Sequence, residues 1–168
     1  MFNILVNIQQ IINKIKAKTM VIELDAVDKG ILNTLLENSR LSYREIAKRL
    51  KISPATVMHR LNHLNKDGII KNYTANLDYE KLGFDVNVLI DVRVSRGKLF
   101  DVEKRIANHP NVFAVYDITG AFDAIIVAKF PSRKSMDTFV KKLQTFEFVE
   151  RTETKLILNT IKEENIRL

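Results

Sequence analysis

The stretch Leu41-Ser42-Tyr43-Arg44-Glu45-Ile46-Ala47-Lys48-Arg49-Leu50-Lys51-Ile52-Ser53-Pro54-Ala55-Thr56-Val57 holds two helix starts in close succession. Ser42, followed three residues on by Glu45, forms a capping box, and Leu41 with Ile46 occupies the positions of a hydrophobic staple. A short helix over Tyr43–Leu50 is therefore predicted, with Ile46, Ala47 and Leu50 as its buried stripe. After only Lys51 and Ile52, Ser53 supplies a hydroxyl N-cap and Pro54 the first helical position, where no amide proton is missed. This second helix is expected to run to about Asp67 and to close on Gly68. Val57, Leu61 and Leu64 fall on its inner side, whereas Ala55, Thr56, His59, Arg60 and His63 fall on its outer side. Two short helices joined by a tight turn make helix-turn-helix geometry, in which the first residues of the second helix meet base edges. One departure concerns Lys51, which stands where glycine is common and costs about 1 kcal/mol if it must adopt positive φ.

The residue types on the outer side suit double-stranded DNA. Arg60 can fork onto guanine, Thr56 can bond a base or touch a thymine methyl, and His59 and His63 can serve base edges or phosphates. Arg44, Lys48, Lys51 and Lys71 are expected on phosphates, which fix position but not sequence. The exposed helix start, Ser53 with Ala55 and Thr56, also suits a phosphate. His59 and His63 are one turn apart and could hold zinc, but position 60 is Arg where the metalloprotease motif has Glu. No third ligand is evident, so neither a metal nor a cofactor is expected.

Charge points the same way. Between positions 40 and 71, Arg40, Arg44, Lys48, Arg49, Lys51, Arg60, Lys66 and Lys71 face only Glu45 and Asp67, giving +6 of a chain total of +7. From Leu77 onward, 15 basic and 14 acidic residues nearly cancel. A basic segment joined to a neutral half is the footprint of a polyanion-binding module attached to something else. The chain of 168 residues has room for two small domains, and 46% of its residues are hydrophobic, which excludes an acidic or low-complexity disordered chain. It has no cysteine, which removes disulfides, thiolate nucleophiles and cysteine metal cages and fits a cytoplasmic setting.

Upstream, Ile31, Leu32, Leu35 and Leu36 mark a first helix that starts at Asp25 or Asp28 and ends at Glu37. Residues 1–19 carry three lysines and no acid, with Ile4, Leu5, Ile8, Ile11, Ile12 and Ile15 as one amphipathic stripe. The stripe is too short and too interrupted to span a membrane, and no signal cleavage site follows. It reads as a helix on a partner subunit, as a membrane-surface helix, or as residues ahead of a natural start at Met20; the first and last are favoured. Ile69 to Leu77 reads as a strand that would serve as a wing, and residues 78–83 as a hinge.

The rhythm then changes to alternation. Val86, Val88, Ile90, Val92 and Val94 face one way, and Asn87, Asp91, Arg93 and Ser95 the other. A helix over residues 99–108, strands over 112–119 and 124–130, a helix over 133–146 and a last strand from Val149 to about Ile161 complete the order βαββαβ. The expected fold is α+β: an N-terminal winged helix-turn-helix, then a ferredoxin-like βαββαβ domain. The expected divisions are an extension over 1–19, the DNA-binding domain over 20–71, a linker over 72–83 and a second domain over 84–168. With both helices on one face of the sheet, a second copy of the same sheet is the simplest cover for the other, so a homodimer is expected. Two recognition helices would then meet two half-sites.

Over roughly residues 21–161 the chain resembles the leucine-responsive and asparagine-regulator family, also called feast/famine or Lrp/AsnC regulators. The resemblance rests on Leu24-Asp25-x-x-Asp28-x-x-Ile31-Leu32, Ser53-Pro54-Ala55-Thr56-Val57 with Arg60-Leu61, and Asp67-Gly68-Ile69-Ile70. It also rests on Val115-Tyr116-Asp117-Ile118-Thr119-Gly120-x-x-Asp123. It implies dimerisation through a second domain of the RAM type, assembly of dimers into rings up to an octamer, and an amino-acid effector. That effector would lie in clefts lined by Gly120, Ala121, Phe122 and Asp123. Loop amides could hold its carboxylate and Asp123 its ammonium group; equally, Gly120 can supply a turn and Asp123 cap the loop. The function so implied is sequence-specific transcription regulation. The alternatives are an architectural, chromatin-like DNA coat with little sequence preference, and an enzyme or its amino-acid-sensing subunit. No paired carboxylates, activated nucleophile or phosphate loop supports catalysis.

Overall fold

A computed structural model describes residues 22–95 and 97–168, and the amphipathic stripe expected over residues 1–19 lies outside them. The chain divides into two compact units. One ends at Thr74 and also takes in Glu164–Leu168, and the other is Ala75–Glu163.

The first unit packs helices α1 (Ala26–Glu37), α2 (Tyr43–Leu50) and α3 (Pro54–Lys66) around Ile31, Leu32, Ile46, Ala47, Val57, Leu61 and Leu64. Each helix begins on a side-chain cap. Asp25 caps α1 in a box with Asp28, Ser42 caps α2 in a box with Glu45, and the Ser53 hydroxyl accepts from the Thr56 amide at α3. Lys51, between α2 and α3, adopts φ 56 and ψ 42, the left-handed conformation whose cost the sequence anticipated. Lys51→Gly is expected to stabilise this unit by about 0.5–1 kcal/mol, read as a higher denaturant midpoint with unchanged slope.

The strand expected from Ile69 to Leu77 is absent. Gly68 turns the chain at φ 69, and the amides of Ile69 and Ile70 donate to the Leu64 carbonyl at 3.0 and 3.2 Å. Both isoleucines pack onto the helical core, and the residues that follow have no ladder partner among the described residues. An extended segment becomes a strand only when a neighbour takes its backbone groups.

Within the same unit, residues 164–168 lie against α1. The Asn33 side chain donates to the Leu168 carbonyl and accepts from the Leu168 amide, both at 2.9 Å, and Arg167 pairs with Glu37 at 3.4 Å.

The second unit is β1 (Val86–Val94), α4 (Leu99–Ala107), β2 (Val112–Asp117), β3 (Ala124–Phe130), α5 (Arg133–Gln144) and β4 (Val149–Leu156). The sheet runs β2-β3-β1-β4, antiparallel throughout, the ferredoxin-like order. β4 ends at Leu156, short of the expected Ile161. Val88, Ile90 and Val92 are fully buried and share one core with Val102 and Ile106 of α4 and Phe139 and Leu143 of α5, so both helices cover one face. On the other face of β1, Asn87 and Asp91 are 8% and 4% exposed, not open as alternation alone suggests. β1 is a central strand, and Lys155 from β4 is ion-paired to the Asp91 carboxylate.

Candidate nucleic-acid interface

The starts of α2 and α3 lie side by side, and their caps use up most of the local polar groups. Glu45 Oε2 accepts from both the Ser42 amide and its hydroxyl at 2.7 Å, and the Ser42 hydroxyl holds the Glu45 carboxyl below its ordinary range. The hydroxyls of Ser53 and Thr56 are 2.8 Å apart in a mutual hydrogen bond. Between the two starts is a concave patch of about 380 Å³ lined by Ser42, Tyr43, Arg44, Pro54, Ala55 and Met58.

The residues expected to meet DNA fall into two groups. Ala55, His59 and His63 are exposed along the outer side of α3, and the two histidine rings stack edge-on with centroids 4.5 Å apart. Arg44, Lys48 and Lys51 are exposed and form no ion pair among the described residues. Ser53 is exposed and Thr56 half-buried, each with its hydroxyl committed to the other. No cluster of metal-binding residues occurs among the described residues.

Arg60 is placed differently from the guanine fork the sequence suggested. Its Nη1 lies 2.7 Å from Asp25 Oδ2 and 3.2 Å from Asp28 Oδ2, a three-part ionic latch between α3 and the start of α1. The Asp28 side chain is 12% exposed, so the guanidinium neutralises a carboxylate largely removed from water. The Asp25 carboxyl is held below its usual value first by the Asp28 amide and then by Arg60. Sequence reading missed the latch because Arg60 and Asp28 are 32 residues apart. It also passed over Tyr43 and Met58, which are 45% and 47% exposed at the patch; the signal was their outward position on helices already predicted.

In the second unit the loop Gly120 to Asp123 joins β2 to β3. Gly120 has φ 129, and no atom lies within 4 Å of where a Cβ would project, so glycine is needed there for conformation. Ala121 is exposed, and the Arg151 guanidinium lies 5.5 Å from the centre of the Phe122 ring. Asp123 Oδ2 accepts from the Val94 amide at 2.8 Å, the Asp123 amide donates to Val92 at 3.0 Å, and its carbonyl accepts from Ile118 at 3.0 Å. The Asp123 side chain thus ties the loop to the end of β1.

Beside this loop, at the end of β2, Asp117 neighbours Glu103 of α4. Glu103 Oε1 is buried with no hydrogen-bond partner, and burial first, then the Asp117 carboxyl, pushes Glu103 up to about 7. A carboxyl whose folded pKa is raised binds more protons folded than unfolded between its ordinary 4.5 and about 7. Stability of this unit therefore falls as pH rises through that window. Glu103→Gln is expected to raise the midpoint by several degrees at pH 8 and to leave it unchanged at pH 4, on the basis of about 1 kcal/mol after allowance for solvent screening. Thermal melts at the two pH values check this, and equal shifts at both would refute it.

Comparison with known proteins agrees with the two-unit description. Residues 24–71 match the family model described as winged helix-turn-helix DNA-binding, and residues 87–166 match the one described as the Lrp/AsnC ligand binding domain. An uncharacterised HTH-type transcriptional regulator of Pyrococcus furiosus is 42% identical over 84% of this chain and 96% of its own length. The solved structure of Escherichia coli AsnC superposes with TM-score 0.82 at 26% identity, over 88% of this chain and 100% of that one. A Neisseria meningitidis transcriptional regulator, solved as a complex with L-Met, gives 0.79 at 28% identity, over 87% and 96%.

Proposed function

Since the chain belongs to the Lrp/AsnC family of HTH-type transcriptional regulators, and is thus a DNA-binding regulator and not an enzyme, we propose that it acts as a homodimer or larger ring on sequence-specific operators. A free amino acid would bias the assembly. The observation that carries the first part is the union of a basic helix-turn-helix with a sheet whose second face lacks a helical cover. On that face Leu89, Ile125 and Val127 are half-buried, and neighbouring Tyr116 is 55% exposed. A second copy of the sheet would bury these side chains and hold two α3 helices for two half-sites.

The phosphate contacts in this reading are Arg44, Lys48 and Lys51, and the groove-facing residues are Ser53, Ala55, Thr56, His59 and His63. The effector would sit at Gly120, Ala121, Phe122 and Asp123, with loop amides toward its carboxylate. One oxygen of Asp123 is already engaged by Val94, so Asp123 would take the ammonium group through the other. The amino-acid class is supported by the L-Met complex of the Neisseria regulator. A site within the cell's cytoplasm goes with this reading, and no helix among the described residues is long and apolar enough to cross a membrane.

A weakly selective, chromatin-like coat is the second reading, favoured by one observation: Arg60 is occupied by Asp25 and Asp28. Selection of duplexes from a randomised pool, followed by titration of selected and shuffled duplexes at one salt concentration, separates the two. Preference of about a hundredfold or more for the selected site supports an operator-specific regulator, and equal affinity supports the coat. Sedimentation with and without a pool of amino acids tests assembly; an unchanged monomer in both would refute the proposed mode of action.

A further inference from the structure

We infer that this protein reads thymine methyl groups through Ala55 and Met58, at the patch between the starts of α2 and α3, and does not read guanine through Arg60. The inference rests on the DNA-binding reading above and adds to it the chemistry of the base that is recognised.

Arg60 is excluded first. Two carboxylates lie within 3.3 Å of its Nη1, and the trio of Asp25, Asp28 and Arg60 carries a net negative charge. Guanine presents two acceptors, O6 and N7, in the major groove, and they gain less from a guanidinium whose Nη1 is already held by two carboxylates. Turning Arg60 toward a base would leave the shielded Asp28 without its cation.

The hydroxyls of the helix caps near the patch are already engaged. The Ser42 hydroxyl is bound to Glu45, and the hydroxyls of Ser53 and Thr56 are bound to each other. At the patch itself the side-chain surface offered to a base edge is mainly carbon and sulfur, the Ala55 methyl, the Met58 thioether and the ring of Tyr43, all exposed, while His59 and His63 lie further along α3. Exposed apolar surface within the basic segment from 40 to 71 calls for an apolar group carried on a polyanion. In the major groove the only such group is the C5-methyl of thymine. Arg44, which also lines the patch, and Lys48, exposed on α2, are placed to hold the neighbouring phosphates.

The test uses the full chain and duplexes selected from a randomised pool. Thymines in the selected site are replaced one at a time by uracil, which keeps pairing and charge and removes only the methyl group. At fixed salt, one or more positions in the selected site are expected to lose about three- to fourfold in affinity, the worth of one buried methyl. Met58→Ala is expected to abolish that loss at the same position, and Arg60→Gln is expected to leave base preference unchanged. Uracil duplexes that bind as tightly as thymine duplexes would overturn the inference while leaving the DNA-binding reading intact. So would a guanine preference that disappears in Arg60→Gln. If no duplex is enriched, the sequence-specific reading fails and this inference fails with it. Should Arg60→Gln not fold, the uracil series on the unaltered protein decides alone.

Discussion

Replacing Phe130 with alanine is expected to strip the four-stranded unit of most of its stability while the three-helix unit stays folded. Phe130 is 1% exposed, heads the largest fully buried side chains, and lies 5.3 Å from the Phe139 ring across the sheet-to-helix interface. It ends β3 and pairs with Val86, so the cavity would open where β1, β3 and α5 meet. Truncation of a buried phenylalanine costs about 3–5 kcal/mol, against a total margin of about 5–15 kcal/mol for a domain. The helical core of Ile31, Ile46, Val57 and Leu61 contains no residue of this cluster. Hydrogen exchange would show the outcome: amides of β1 to β4 should lose protection by several orders of magnitude, and those of α1 to α3 should keep theirs. Simultaneous loss in both would mean that the units do not fold independently.

The second large effect concerns affinity. Arg44→Glu with Lys48→Glu is expected to weaken binding to every duplex, selected or shuffled, by about ten- to a hundredfold at low salt. Both side chains are exposed on α2 and unpaired among the described residues, so reversal would put repulsion at the phosphate contacts proposed above. Each phosphate left without its cation should lower the slope of log affinity against log salt by about 0.9. Neither residue is in the helical core, so the melting midpoint should hardly change. An unchanged salt slope would place the phosphates on some other face of the helical unit.

How much of this could be read from the sequence depends on the distance over which each interaction acts. Ser42 with Glu45 and Ser53 with Thr56 are separated by three residues, so both helix starts were legible from local chemistry. The core face of β1 was legible because alternation is a property of one strand. The positive φ of Lys51 was legible as a condition, because glycine is common at that turn position, and the backbone adopts it. The latch of Arg60 onto Asp25 and Asp28 was not legible, because no local pattern connects residues on different helices. The expected strand from Ile69 failed for a related reason: its residues have strand character, but the amides that open it close the end of α3 instead. For the loop at Gly120 to Asp123 the sequence supplied the position and two roles, and only the geometry revealed that Asp123 already holds Val94.

The hydrogen bonds between Asn33 and Leu168 join positions 135 residues apart. During synthesis α1, α2 and α3 are complete before any strand of the sheet has been made, and their contacts are local enough to form early. The segment 164–168 that lies against α1 has to wait until all four strands have been translated. A nascent chain therefore displays its recognition helix well before the helical unit has its final surface.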